Sequence, residues 1–279
     1  MTKRIFQMSQ IKTASVTERE MDEIRKENDF VYIKSRFNFI KAHNGLRPSC
    51  LHILLGTSGS GKSTLAKAII IDCAVQYKTL LWQSEEKREN FIVSLKNCSP
   101  DKKITDNIIL FSELDLEPQD LKTPDSVFDK FEYIIKLHKP KIVFLDNITT
   151  SQMYMGLNPN DQDKMIWKIK RLFSKLGTPI ILIAHTGSYV NESTAKIIED
   201  SDIRGSKTIM NLAEYVYIFQ RFEINSRFFP TVRIRKSRNH QLTSKLFYLQ
   251  YNREKNIYTD DKDLDFSNFK EAYGQRNKL

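Results

Sequence analysis

No apolar run in this chain approaches the ~20 residues that a membrane-spanning helix needs, so no membrane partner is expected. The opening MTKRIFQMSQ carries basic residues without an apolar h-region, so no signal peptide is expected either. Cysteine is scarce. Cys50, Cys73 and Cys98 lie far apart and lack metal-ligand spacing, which excludes a disulfide framework or zinc site and points to reduced thiols in a cytoplasmic setting. Glycine is sparse as well, nine in 279 residues, yet three of the nine fall within one nine-residue stretch, GTSGSGKST.

What the chain has in excess is positive charge. The formal net charge is +10, and it is uneven: Ile203 to Lys255 holds eleven Lys and Arg against three Glu. Such a region suggests a polyanionic partner. Hydrophobic residues make up 40%, enough for a sizeable core, and the length suits one α/β domain with an arm and a tail. We place the boundaries at 1–44 for the arm, 45–255 for the domain and 256–279 for a charged tail. A capping box from Thr17 to Glu20 opens a charged arm helix.

Between these limits, apolar strands alternate with amphipathic helices. LHILL, KTLLWQ, NIILFSEL, KIVFLDN and TPIILIAH read as strands. Helices are expected after Lys62, over EKRENFIVSLKN, after the Thr123 cap with Pro124 in the first turn, and over DKMIWKIKRLFSKLG. This order predicts a mostly parallel sheet covered by helices on both faces. Beyond Met210 the strands EYVYIFQ, FPTVRIRKS and SKLFYLQYN alternate, and antiparallel additions at the C-terminal side are expected. Ligands of such sheets bind at the carboxyl ends of the strands. Gly56, Glu86, Asp146 and His185 all fall at or just past those ends.

The stretch Gly56, Thr57, Ser58, Gly59, Ser60, Gly61, Lys62, Ser63, Thr64 has the full phosphate-loop spacing between a strand and a helix. Its backbone N–H groups and helix N-terminus suit phosphate oxygens. Lys62 is expected on the β- and γ-phosphates of ATP and Ser63 on Mg²⁺. Asp146, closing KIVFLD, is the second expected Mg²⁺ residue. The next position is Asn147, where many ATPases carry the water-activating glutamate. The base is then expected beyond the second strand, at Glu86 in preference to Glu85.

Together these pieces resemble the RecA-like P-loop ATPases, in particular the DnaB- and bacteriophage-type hexameric helicase domains and the RepA-like ATPases. NGLRPS resembles the family's lead-in to the first strand, and ILIAHT resembles its sensor strand. The segment from Asp202 to Arg221 is similar to a helicase motif, with Glu214 where aspartate is usual. IRKSRNH resembles the Lys-x-Arg finger. The resemblance covers about Gly45 to Tyr251. It implies that His185 reports the γ-phosphate, that Lys236 and Arg238 reach a neighbouring subunit's nucleotide, and that the chain forms a homo-oligomer, a hexameric ring or filament.

It further implies an ATP-driven motor on single-stranded DNA, or RNA, of a phage or mobile element. The loops TTSQMYMGLNPNDQ and TGSYVNESTAKIIEDSDIRGSK would line its channel, with Tyr189, Lys196, Arg204 and Lys207 on nucleic acid. Glu192, Glu199, Asp200 and Asp202 make the second loop's charge mixed. A regulatory, assembly or recombination-mediator ATPase driven by a protein partner shares this core. A kinase would leave the finger unexplained.

Overall fold

The structure, a computed structural model, describes residues 32–98, 101–187, 197–199, 202–205, 207–224, 227–238, 242 and 245–260. The expected arm helix after Thr17, and Tyr189 and Lys196, lie outside them. The strands are β1 (Leu51–Gly56), β2 (Thr79–Gln83), β3 (Ile108–Ser112), β4 (Ile142–Asp146), β5 (Ile180–His185), β6 (Tyr215–Ile224), β7 (Arg227–Ser237), β8 (Leu246–Asn252) and β9 (Ile257–Asp260). The helices are α1 (Asn38–Lys41), α2 (Lys62–Ala74), α3 (Arg88–Cys98), α4 (Lys102–Asp106), α5 (Pro124–His138), α6 (Pro159–Leu176) and α7 (Thr208–Leu212).

The strands form one sheet in the order β3-β2-β4-β5-β1-β6-β7-β8-β9. The central strands are apolar along their whole length because both faces are covered. One face packs on α5, α6 and α7 through Phe131, Ile166, Phe173 and Met210. The other packs on α1, α2 and α3 through Phe39, Ile69 and Phe91. Helix α2 is buried nearly all round, more than the one apolar side expected, because its neighbours include β9 as well as the central strands.

Local signals set the helix ends. Thr123 and Ser126 cap each other's backbone N–H ahead of Pro124. α6 begins at Pro159, one turn before the expected start, because the Asn158 side chain caps Asp161. Gly177, at φ +68°, closes that helix.

Two features differ from expectation. β6 pairs parallel with β1, so the antiparallel set begins at β7. Its polar-apolar alternation misleads because Tyr215 and Tyr217, although they carry hydroxyls, are fully buried. The sheet also runs past residue 255: β9 pairs with β8, and Asp260 accepts the Asn38 backbone N–H at 3.0 Å.

At the start of the sheet Glu214 joins three elements. Its carboxylate accepts the Leu51 N–H at 2.9 Å and pairs with Lys170 of α6. Lys170 also donates to the Leu212 carbonyl. Beside it, His52 is fully buried and stacked on Tyr215 at 4.6 Å. Burial pushes its pKa down to about 3 against an opposing hydrogen bond to the Arg47 carbonyl, with smaller downward pushes from His43 and Lys170.

His52 is therefore neutral when folded and takes up a proton on unfolding near its ordinary pKa. Its contribution is complete above that value and lost as pH falls toward the folded one. Between about pH 7 and about pH 5 it removes about 2 kcal/mol of stability. Urea denaturation across this range checks it: His52→Phe flattens the acid limb by that amount. An unchanged slope in the variant would assign the acid limb to other groups.

Candidate nucleotide site

The phosphate loop leaves β1 where β6 crosses close by. A Cβ on Gly56 would come within 2.6 Å of the Phe219 carbonyl, so only glycine fits there. Gly59 and Gly61 take φ of +75° and +99°, the left-handed turn that brings backbone N–H groups inward ahead of α2. The Thr57 carbonyl accepts from the Ser60 backbone N–H, the Ser60 hydroxyl and the Lys62 ammonium. Lys62 is almost completely buried.

The neighbouring strand ends bring the other candidates in. Gly56 stands beside His185 in the β1–β5 register, and Gln83 beside Asp146 in the β2–β4 register. Burial pushes the Asp146 carboxyl up to about 6; a hydrogen bond from Ser63 and the charge of Lys62 pull it down, while Glu85 and Glu86 push it further up. A hydroxyl on a crowded, half-buried carboxylate is a donor set that suits a hard divalent cation. Among the described residues no group of three or more His, Cys, Asp and Glu side chains is arranged so that it could hold a metal ion by itself. Mg²⁺ here would thus be held by Ser63 and Asp146 with phosphate and water completing its shell.

Glu86 accepts from the Gln83 amide at 3.2 Å, and its backbone carbonyl accepts from Ser112 at 2.7 Å. Glu85 is more exposed and lies 3.7 Å from His185 Nε2. Asn147, noticed in the sequence only for what it is not, is a buried hub. Its Oδ1 accepts from the Thr149 hydroxyl, the Thr150 N–H and the Thr150 hydroxyl. With Oδ1 so occupied, its Nδ2 donates to His185 Nε2 at 2.8 Å, which places the ring proton on Nδ1. Burial and the charge of Lys62 lower the His185 pKa to about 4, against Glu85, so the imidazole is neutral. The Arg204 N–H donates to the His185 carbonyl, tying the loop after β5 to the same strand end. Arg204 and Lys207 are exposed.

Lys236 and Arg238 are elsewhere. They lie where β7 meets the start of β6, and the start of β6 runs beside the start of β1. The length of β1, roughly 15–20 Å, therefore separates them from the phosphate loop of their own chain. A register shift between Val216 and Tyr217 re-aims Lys236. Strict alternation would put it on the face of Val232 and Ile234; instead it pairs with Val216 and donates to the Met210 and Asn211 carbonyls. The Arg238 guanidinium donates to the Asn211 carbonyl and stays exposed.

Sequence reasoning missed Tyr258. It is buried, and its hydroxyl would stand 2.7 Å from a Cβ on Gly61, so β9 backs the phosphate loop. Nothing local in NIYTD signals this contact, which spans the domain.

Comparisons with known proteins agree with this architecture. The sequence model of the family described as "ATPase: KaiC" matches residues 19–258. Among curated proteins none matches. Among solved structures, the KaiC-like protein PH0186 of the hyperthermophilic archaeon Pyrococcus horikoshii OT3 is similar in fold, with a TM-score of 0.64 at 16% identity over 82% of this chain and 98% of that one. A phosphate loop on a mostly parallel sheet, with a family match spanning most of its length, identifies the chain as a member of the KaiC ATPase family.

Proposed function

We propose that the chain hydrolyses Mg²⁺-ATP as an oligomer in which Lys236 and Arg238 of one copy complete the phosphate site of the next. The observation that carries this reading is the position of both residues at the sheet edge opposite their own phosphate loop. Cations so placed serve a γ-phosphate only across an interface. When bound, Mg²⁺ supplies charge neutralisation at the phosphates. Lys62 turns from the Thr57 carbonyl to the phosphate oxygens, and Glu86, held by Gln83, orients the attacking water. His185, locked as a neutral tautomer by Asn147, reports the site to the loop that Arg204 anchors.

The work we assign to this cycle is movement on single-stranded DNA by a DnaB-like ring or filament. Exposed Arg204 and Lys207 beside the sensor strand support it. A second reading, a regulatory or assembly ATPase driven by a protein partner, is favoured by Arg233 and Arg235. Both pair with Glu199, so part of the basic stretch is neutralised within the chain.

Turnover with and without single-stranded DNA, alongside particle mass with a non-hydrolysable ATP analogue, separates the readings. The motor shows at least about tenfold stimulation that fades steeply with salt. A large particle whose turnover ignores DNA and RNA supports the partner-driven reading. A monomer under all conditions overturns the shared site.

A further inference from the structure

The phosphate loop has two flanks. In sheet order Asp146, Glu85, Glu86 and His185 lie on the β4–β5 side of β1, and β6 to β9 lie on the other. On that other side a cleft of about 760 Å³ opens against Gly59, Gly61 and Thr64. A triphosphate lying along the loop with its γ-phosphate at Asp146 therefore points its nucleoside into this cleft.

The walls offer ring and guanidinium faces. The Arg221 guanidinium sits 5.5 Å from the Phe228 ring centroid, and Phe228 is 60% exposed. Tyr251 also lines the cleft, with its ring 5.2 Å from that of Tyr258. Such faces bind any base by stacking, and a purine more strongly than a pyrimidine because it covers more of them.

Edge-reading groups are few. Distinguishing guanine needs an acceptor for its N1–H and amino group, yet the described lining contains no Asp, Glu or Asn, and its one amide, Gln250, is exposed. The β6–β7 and β8–β9 ladders take up the backbone groups on the sides of β7 and β8 that face β6 and β9, and Pro230 has no N–H. An Arg253 guanidinium at the rim would donate to purine N7 in either base.

We propose that this cleft is the nucleobase site and that it grips a purine by its faces without reading its edge, so that ATP and GTP are bound alike. The proposal rests on reading the loop as the triphosphate site, and inorganic tripolyphosphate separates the two. The experiment is calorimetric titration of the full chain, with Mg²⁺, by ATP, GTP, CTP and tripolyphosphate.

ATP and GTP should agree within about threefold, CTP should be weaker, and tripolyphosphate weaker than ATP by about tenfold or more. Phe228→Ala should weaken ATP by about tenfold while leaving tripolyphosphate unchanged, which also reports an intact fold. Arg221→Ala should weaken both, because its guanidinium also donates to the Gly59 carbonyl of the loop. Wild-type protein binding tripolyphosphate as tightly as ATP overturns the base site. A preference of more than about thirtyfold for either purine overturns face-only recognition. Binding of none of the four ligands instead refutes the triphosphate reading. The wild-type series decides the proposal however the variants behave.

Discussion

Arg238→Ala subunits and Lys62→Ala subunits, each inactive alone, recover ATP turnover when mixed. The first keeps a phosphate loop and lacks the finger; the second keeps the finger and lacks the loop lysine. A competent site forms wherever a loop from the first faces a finger from the second. In an equimolar random ring that is about a quarter of the interfaces. Each single substitution is expected to lower turnover by ~10³-fold, the scale of a cation that stabilises the transferring phosphate. Recovery toward a quarter of the wild-type rate is thus a gain of more than a hundredfold over either parent. The geometry leaves no route in cis, because both cations sit at the far edge of the sheet. If mixing restores nothing although the two variants co-assemble, the shared-site reading fails.

The second large effect is on stability. Glu113 sits in the turn after β3 with 4% of its surface exposed. Its carboxylate accepts from Trp82 Nε1 at 2.6 Å, the Ser151 hydroxyl at 2.5 Å and the Gln152 N–H at 2.7 Å. Burial raises its pKa, and those three donors oppose the rise. Truncation to alanine strands two buried donors, Trp82 Nε1 and the Ser151 hydroxyl. Glu113→Ala should therefore cost about 3–4 kcal/mol, net of the relief from burying a charge. Glu113→Gln retains one acceptor oxygen but brings two donors of its own, and should fall between. Urea denaturation followed by tryptophan fluorescence measures both, since Trp82 is buried against Phe111 and Phe131. A loss under about 1 kcal/mol for the alanine variant would mean that the loop after β4 rearranges to rescue its donors.

How much of this could be read from the sequence depends on how local each signal is. The phosphate loop was legible because its glycines, lysine and serine are consecutive and flanked by a strand and a helix. The parallel core was legible because strands covered on both faces cannot alternate. The convergence of Gly56, Asp146 and His185 on one edge followed from strand direction alone. Their side-chain partners did not: that Asn147 fixes the His185 tautomer depends on adjacent strand ends whose residues are 38 apart in the chain. β6 was misread because buried tyrosine imitates a polar position. Glu113, Lys170 and Tyr258 act through partners in distant elements, and no spacing rule announces them. Lys236 was legible as a residue, but its direction depends on a one-residue register shift that arises only when β6 and β7 pair.

Tyr258 against Gly61 also sets an order of events during synthesis. The phosphate loop leaves the ribosome early in the synthesis of the domain, while its backing strand emerges about two hundred residues later. The Asn38–Asp260 hydrogen bond closes the same long circuit. Contacts of such separation form late, because the entropy of closing the intervening chain opposes them until most of the sheet exists. A nascent chain thus carries the motif long before it has the site, and a ribosome-bound fragment ending short of β9 presents an unbraced loop. In this architecture the phosphate loop is braced only once β9 has been made and has paired with β8.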